Sequence, residues 1–449
     1  MQNKPPPGRK SRPSQNMNAH PNGKTSPLQA RRAVPAGTIP AIPPRETAPI
    51  REVDITNKYY LALSNRYKII KVMVIIALTA FCIGMVTIYR DDITVENFRY
   101  MLRDFDINST KYTSEFNKIN YAAGSDSSWA LFKGDLVVTS PSSLYIYGMS
   151  GVTEMSENIS MTKPIVTASD RYILVYDTSV TNNVYSLFNT FSILDTQHLD
   201  HQITGASVAD NGYYAIATRT DDYKGAVFVY DSSFKLVNRI LKDKHIMDVS
   251  MRRDGGEVLV LSAYDAGGDW CTEIMTIAPG AEAASTTITL QGSMPVKACY
   301  SAAGGFAVLC DNCVVFYNAE GFEVNRYNFS GEIPVTYGMS ENFTMLAFNK
   351  NVLGNEKIIR FWDSSGTALG SATLDGRIIC TASDTTHYYF QTPGALRIIR
   401  PGDNTFTKIP TESDPRSLLV YSDGKLVMCG TDGAIVYDIG ETAETGSAG

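Results

Sequence analysis

Cys310 and Cys313 flank Asp311-Asn312. Two thiols at that spacing could close a local disulfide or supply half of a tetrahedral zinc site. No second pair of this kind follows, and a two-residue hairpin turn accounts for the interval without metal. The run DTQHLDH places Asp195, His198, Asp200 and His201 close together. As a loop with no strand or helix to fix its spacing, it is expected to be solvated rather than metal-bound. His245 and His387 stand alone in the sequence. The Asp-Asn-Gly and Asp-Gly-Gly turns at 210–212 and 254–256 could suggest calcium. Tight hairpins require the same residues, however, and the dense alternating run of oxygen ligands is missing. No nucleophile elbow, P-loop or zinc-protease helix occurs. The expectation is a non-enzymatic protein with no catalytic, cofactor-binding or metal-binding residue.

The elements that must carry these residues repeat. From about residue 112, short apolar runs alternate with turns rich in Ser, Asp, Asn and Gly. SWALFKGDLVVTS (128–140), VTASDRYILVYDT (166–178) and CYSAAGGFAVLCD (299–311) illustrate the unit: strand, turn, second strand. Eight such turns centre near Gly134, Asp170, Asp210, Asp254, Gly304, Glu341, Asp384 and Asp423. Their intervals are 36, 40, 44, 50, 37, 43 and 39 residues. A third strand often follows, ending in an aromatic and then an acidic or amide residue, as in YDSS (230–233), FYNAEG (316–321) and FWDSSG (361–366). Four antiparallel strands in about 40 residues is the period of a propeller blade.

These segments resemble the third-to-fourth-strand turn of WD-type and quinoprotein-like β-propellers. The resemblance covers roughly 112–440 and implies fold rather than function. The whole arrangement also resembles an uncharacterised family of membrane-anchored propellers of Gram-positive bacteria, a domain of unknown function. The enzymatic relatives implied by the fold are quinone-dependent dehydrogenases, which carry a tryptophan in nearly every blade. Here only Trp129, Trp270 and Trp362 occur, and no adjacent cysteine pair exists. That composition weighs against the enzyme.

The ends of the repeat predict how the ring closes. The last unit has three strands, SLLVYS, KLVMCG and AIVYDI, before the small-residue tail 441–449. Ahead of the first full unit lies an orphan strand-like segment, YTSEFNKINYAA (112–123). It is expected to supply the missing outer strand and remove an open edge. Eight blades fit best, with seven as the count if one repeat is degenerate. Cys299, Cys380 and Cys429 fall inside apolar strands, where an unpaired thiol behaves as a small hydrophobe. Their pairing, and that of Cys271, is not legible.

The remaining chain is of a different kind. Residues 1–50 contain 11 of the 20 prolines and almost no aromatic or β-branched cluster, so residues 1–66 are expected to form a disordered basic arm. Residues 72–89 run 18 positions without a charge, and a transmembrane helix is expected over 67–90 with the lipid bilayer as its partner. Arg66, Lys68 and Lys71 crowd one end while Asp91 and Asp92 follow the other. The positive-inside rule then places the N-terminus in the cytoplasm and the rest outside. A cleaved signal peptide would have a far shorter basic region, and Phe81 stands where a lipoprotein signal before Cys82 needs a small residue. Val95, Phe98, Met101, Leu102 and Phe105 recur at helical spacing, predicting a juxtamembrane amphipathic helix within 91–111.

The net charge of −6 is therefore a sum of unlike parts: +10 over residues 1–71 and −16 over the remainder. A propeller of that sign repels phosphate, so no nucleic acid is expected on it. The function expected is a membrane-anchored binding or scaffold module of the cell envelope, engaging a protein, peptide or glycan. A quinoprotein-like enzyme and a sensor signalling through the arm are the alternatives. The longest candidate binding loops are Thr178–Asn183 and Ala263–Trp270, with Tyr264 and Trp270 as candidate anchors.

Overall fold

The computed structural model describes residues 58–88, 117–351, 354–411, 414–422 and 424–439. The arm up to residue 57, the expected helix within 91–111, residues 112–116 of the closing segment, Asp423 and the tail 441–449 lie outside the described residues. The chain forms two units, residues 1–89 and 90–449.

The described part of the first unit is one helix, α1 (Lys58–Ile88), which begins upstream of the expected start at residue 67. Its segment Leu63–Gly84 is long and apolar enough to cross a membrane, with mean hydropathy 2.0. Thr79 and Thr87 donate their hydroxyls to the carbonyls of Ile75 and Ile83 at 2.8 and 2.7 Å. Each hydroxyl is thereby satisfied within the helix.

The second unit contains 32 strands among the described residues, from β1 (Asn117–Asn120) to β32 (Gly433–Asp438), in eight four-stranded antiparallel sheets. It is an eight-bladed, all-β propeller. Blades 1 to 4 are β2–β5 (128–158), β6–β9 (164–198), β10–β13 (203–242) and β14–β17 (245–291). Blades 5 to 7 are β18–β21 (295–328), β22–β25 (334–375) and β26–β29 (380–410). Neighbouring blades touch through their first strands, as β10 (Ile203–Val208) does with β14 (His245–Met251), so the first strands surround the axis.

Strand composition follows position. The second and third strands are covered on both faces by adjacent blades, and they read as unbroken apolar runs. β19 (Phe306–Cys310) and β20 (Cys313–Tyr317) are buried at every residue. The outer β21 (Glu323–Asn328) is almost wholly exposed and polar. Tyr and Phe take the place of tryptophan between blades. Tyr185, Tyr214 and Tyr230 pack together where blades 2 and 3 meet, the last two stacked with rings 4.7 Å apart and Tyr185 tilted against both.

The aromatic–acid motif is a turn device. In FWDSSG, Trp362 packs against Phe316 and Tyr327 of the preceding blade. The Asp363 carboxylate accepts the N–H groups of Ser365 and Thr367 at 2.9 and 2.8 Å. Gly366 has φ +82°, and a Cβ there would collide with the Phe316 ring. Asp231 and Asn318 repeat the same cap in blades 3 and 5.

Blade 8 consists of β30 (Ser417–Ser422), β31 (Lys425–Cys429), β32 and, on its outer edge, β1. Ile119 pairs with Ala434 and is fully buried beside Leu136, Val138 and Val427. The N-terminal strand thus closes the ring as expected.

Candidate functional site

An up-and-down blade sends its first turn and its third turn to one face. Its middle turn and the crossover to the next blade go to the other. All seven described members of the repeated turn series therefore share a face, and at the axis they meet. Arg253, just after β14, donates from Nη2 to Asp170 of blade 2 at 2.7 Å and from Nε to Asp210 of blade 3 at 2.9 Å. Its Nη1 lies 3.5 Å from Glu341 of blade 6. The Asp170 N–H donates to the Asp210 carboxylate at 2.7 Å, and the Asp210 N–H to the Arg253 carbonyl at 2.9 Å. The Ala302 N–H of blade 5 donates to the Glu341 carbonyl at 2.8 Å. These carboxylates hold the guanidinium proton more tightly than usual. The result is a clasp drawing the turns of blades 2 to 6 together beside a cavity of about 390 Å³, also lined by Lys133, Tyr300 and Tyr421.

The crossover face is built differently. In blades 3 to 6 the first strand carries a one-residue bulge near its start, at Thr204, Met247, Val296 and Val335. Each bulged residue drops out of the ladder, and Met247, Val296 and Val335 are 39, 37 and 45% exposed. Ile165 holds the corresponding place in blade 2, also exposed, without a bulge. Beside this arc lies a cavity of about 210 Å³ lined by Thr204, Met247, Met294, Trp270, Arg219, Lys224 and His245 among others.

Trp270 is 48% exposed and lines that cavity. The stretch 263–270 is not a long loop, however. β15 (Val258–Asp265) and β16 (Trp270–Ile277) extend the hairpin, leaving a four-residue turn held by the Ala266 N–H to Asp269 carbonyl bond of 2.9 Å. Tyr264 is occupied within the chain, because the Lys244 ammonium sits 4.4 Å over its ring. Lys244 and Lys242 both pair with the buried Glu273, Lys242 at 2.6 Å. Burial pushes the Glu273 carboxyl up, but the two ammonium groups outweigh it and leave its pKa below the usual range.

The other candidate loop, Thr178–Asn183, is pinned. Asp177, at the end of β7 (Ile173–Asp177), is 0% exposed. Its carboxylate accepts N–H groups from Lys163 and Ser179 at 3.0 and 2.8 Å, the Asn182 side chain at 2.9 Å, and the Thr162 N–H. Burial raises its pKa, yet these donors prevail and lower it.

Cys310 and Cys313 do flank the hairpin turn, as buried free thiols. Their mutual hydrogen bond raises the Cys310 thiol and lowers that of Cys313. The DTQHLDH segment is not a free loop: Asp195 and His198 belong to β9 (Ile193–His198), the outer strand of blade 2. Asp195 accepts the Tyr214 hydroxyl at 3.3 Å, while His201 lies 3.9 Å from Asp221. Among the described residues, no group of three or more His, Cys, Asp and Glu could hold a metal.

Solved structures similar to this chain include the following two. BamB from Moraxella catarrhalis shares 14% identity at a TM-score of 0.36, covering 62% of this chain and 95% of that one. Kuenenia stuttgartiensis hydrazine synthase shares 10% identity at a TM-score of 0.43, covering 74% of this chain and 98% of that one. No curated protein matches the sequence. The family of unknown function DUF5711 matches residues 107–426, the propeller nearly from end to end, and the chain belongs to that family.

Proposed function

We propose that this is a membrane-tethered, non-enzymatic propeller that binds a protein or peptide partner on its crossover face and serves as a scaffold in the cell envelope. α1 anchors the chain through the apolar segment Leu63–Gly84. The cationic residues before it keep the N-terminus cytoplasmic, and the propeller lies outside. The observation that carries the reading is the arc of Met247, Val296 and Val335, where successive blades break their own ladder and leave apolar side chains in water. Exposed apolar side chains recurring at one register of neighbouring blades are the kind of surface that a partner covers. The arc itself, Met247, Val296 and Val335, is aliphatic, which suits a polypeptide surface.

The test is site-specific photo-crosslinking of the full chain in its native membrane. A photoreactive residue at Met247 or Val335 should capture a discrete polypeptide, whereas one at Ser365 on the opposite face should not. Equal capture from both faces, or none from either, would overturn the proposal.

A further inference from the structure

We infer that the cavity beside Trp270 is a receptor for one apolar side chain of an acidic peptide segment. The inference rests on the proposed crossover-face function and specifies its partner. The cavity measures about 210 Å³. Small-molecule sites run from roughly 300 to 1,000 Å³, so this one suits a single leucine- or phenylalanine-sized group. Its apolar wall comes from Ile246, Met247, Ala263, Met294 and the Trp270 ring. Methionine and tryptophan are the residues that anchor such contacts, one adaptable and one rigid.

Charge decides the chemistry of the flanks. No carboxylate lines the cavity, whereas Arg219, Lys224 and His245 all do. Among the described residues these three have no ion-pair partner. Of the neighbouring acids, Glu273 pairs with Lys242 and Lys244, and Asp248 with Lys297 at 2.9 Å. Asp221, Asp222, Asp243, Asp265 and Asp269 stand on the same turns but outside the lining. Within the lining itself Arg219 and Lys224 meet no carboxylate, and at contact distance they select carboxylates flanking the inserted group. Basic peptides are repelled by these cations at contact, whereas the negative field of the wider surface attracts them only weakly once salt screens it.

Two peptide pools test this on the detergent-solubilised full chain by fluorescence anisotropy. One carries a central leucine or phenylalanine between paired glutamates, the other the same centre between paired lysines. The acidic pool is expected to bind saturably and the lysine pool at least tenfold more weakly. Trp270→Ala should weaken the acidic pool about tenfold, as should Arg219→Glu combined with Lys224→Glu, while circular dichroism melting stays unchanged. Equal binding of the two pools, no binding, or indifference to the variants would overturn the inference. Capture from Met247 and Val335 in the membrane would then still uphold the broader function. Peptide binding without such capture would instead uphold the cavity and sink the broader function.

Discussion

The two faces of the propeller use the same kinds of residues to opposite ends. On the turn face, Arg253 meets three carboxylates from three other blades, and the charges are consumed in holding the turns together. On the crossover face, Arg219, Lys224 and His245 border a cavity with no carboxylate among its lining residues, and apolar side chains stand in water. Conspicuous chemistry is thus a poor guide to function in this fold. The residues richest in charge are ties, and the surface proposed to meet a partner comes from ordinary strand residues displaced by a bulge.

The largest effect expected is one that abolishes the contrast altogether. Deleting residues 112–123 removes β1 and leaves β32 as an open edge, so both faces should be lost together. The deletion variant is expected to be insoluble, or to lose its cooperative thermal transition by circular dichroism. A soluble variant melting at the parent temperature would mean that closure does not hold the ring.

A smaller effect should fall on the crossover face alone. Asp177→Ala leaves the donors of Lys163, Ser179 and Asn182 unmatched in a buried site, for a loss of about 2–4 kcal/mol. Because its carboxyl titrates below the ordinary range, its contribution is complete above roughly pH 4 and disappears as the pH falls through the lower, folded-state value. Chemical denaturation of the parent and variant should therefore differ most at neutral pH and converge on acidification. A gap that widens in acid would refute that assignment.

The smallest effect belongs to the clasp. Arg253 is 56% exposed, so water and salt screen its pairs. Arg253→Gln is expected to lower stability by about 1 kcal/mol or less, shrinking further in high salt. It should leave acidic-peptide binding intact. If binding weakened with the clasp, the two faces would not be independent.

Much of this fold was legible because blades repeat and their buried strands are continuous. Seven described turns fell on one face, and the three-stranded final repeat announced its missing strand. The site was legible only in part. Trp270 stood out as an aromatic after Gly267-Gly268, but Tyr264 beneath Lys244 depends on a contact that spacing does not encode. The bulges had one faint local sign: paired residues such as Ile246-Met247 and Pro295-Val296 open the inner strands where alternation would place a polar residue. Arg253 gave none, because its partners lie on three other blades.

The seam of blade 8 also sets a clock. Asn120 pairs with Gly433, 313 positions later. At roughly 5–20 residues per second, the first strand made waits about 15–60 s for its partner to be synthesised. Throughout that interval the growing sheet stack has two raw ends, and any premature release or truncation leaves both exposed. For this ring, translation past residue 433 is the committing event of folding, and a chain stopped short of it is a candidate for degradation rather than a smaller working domain.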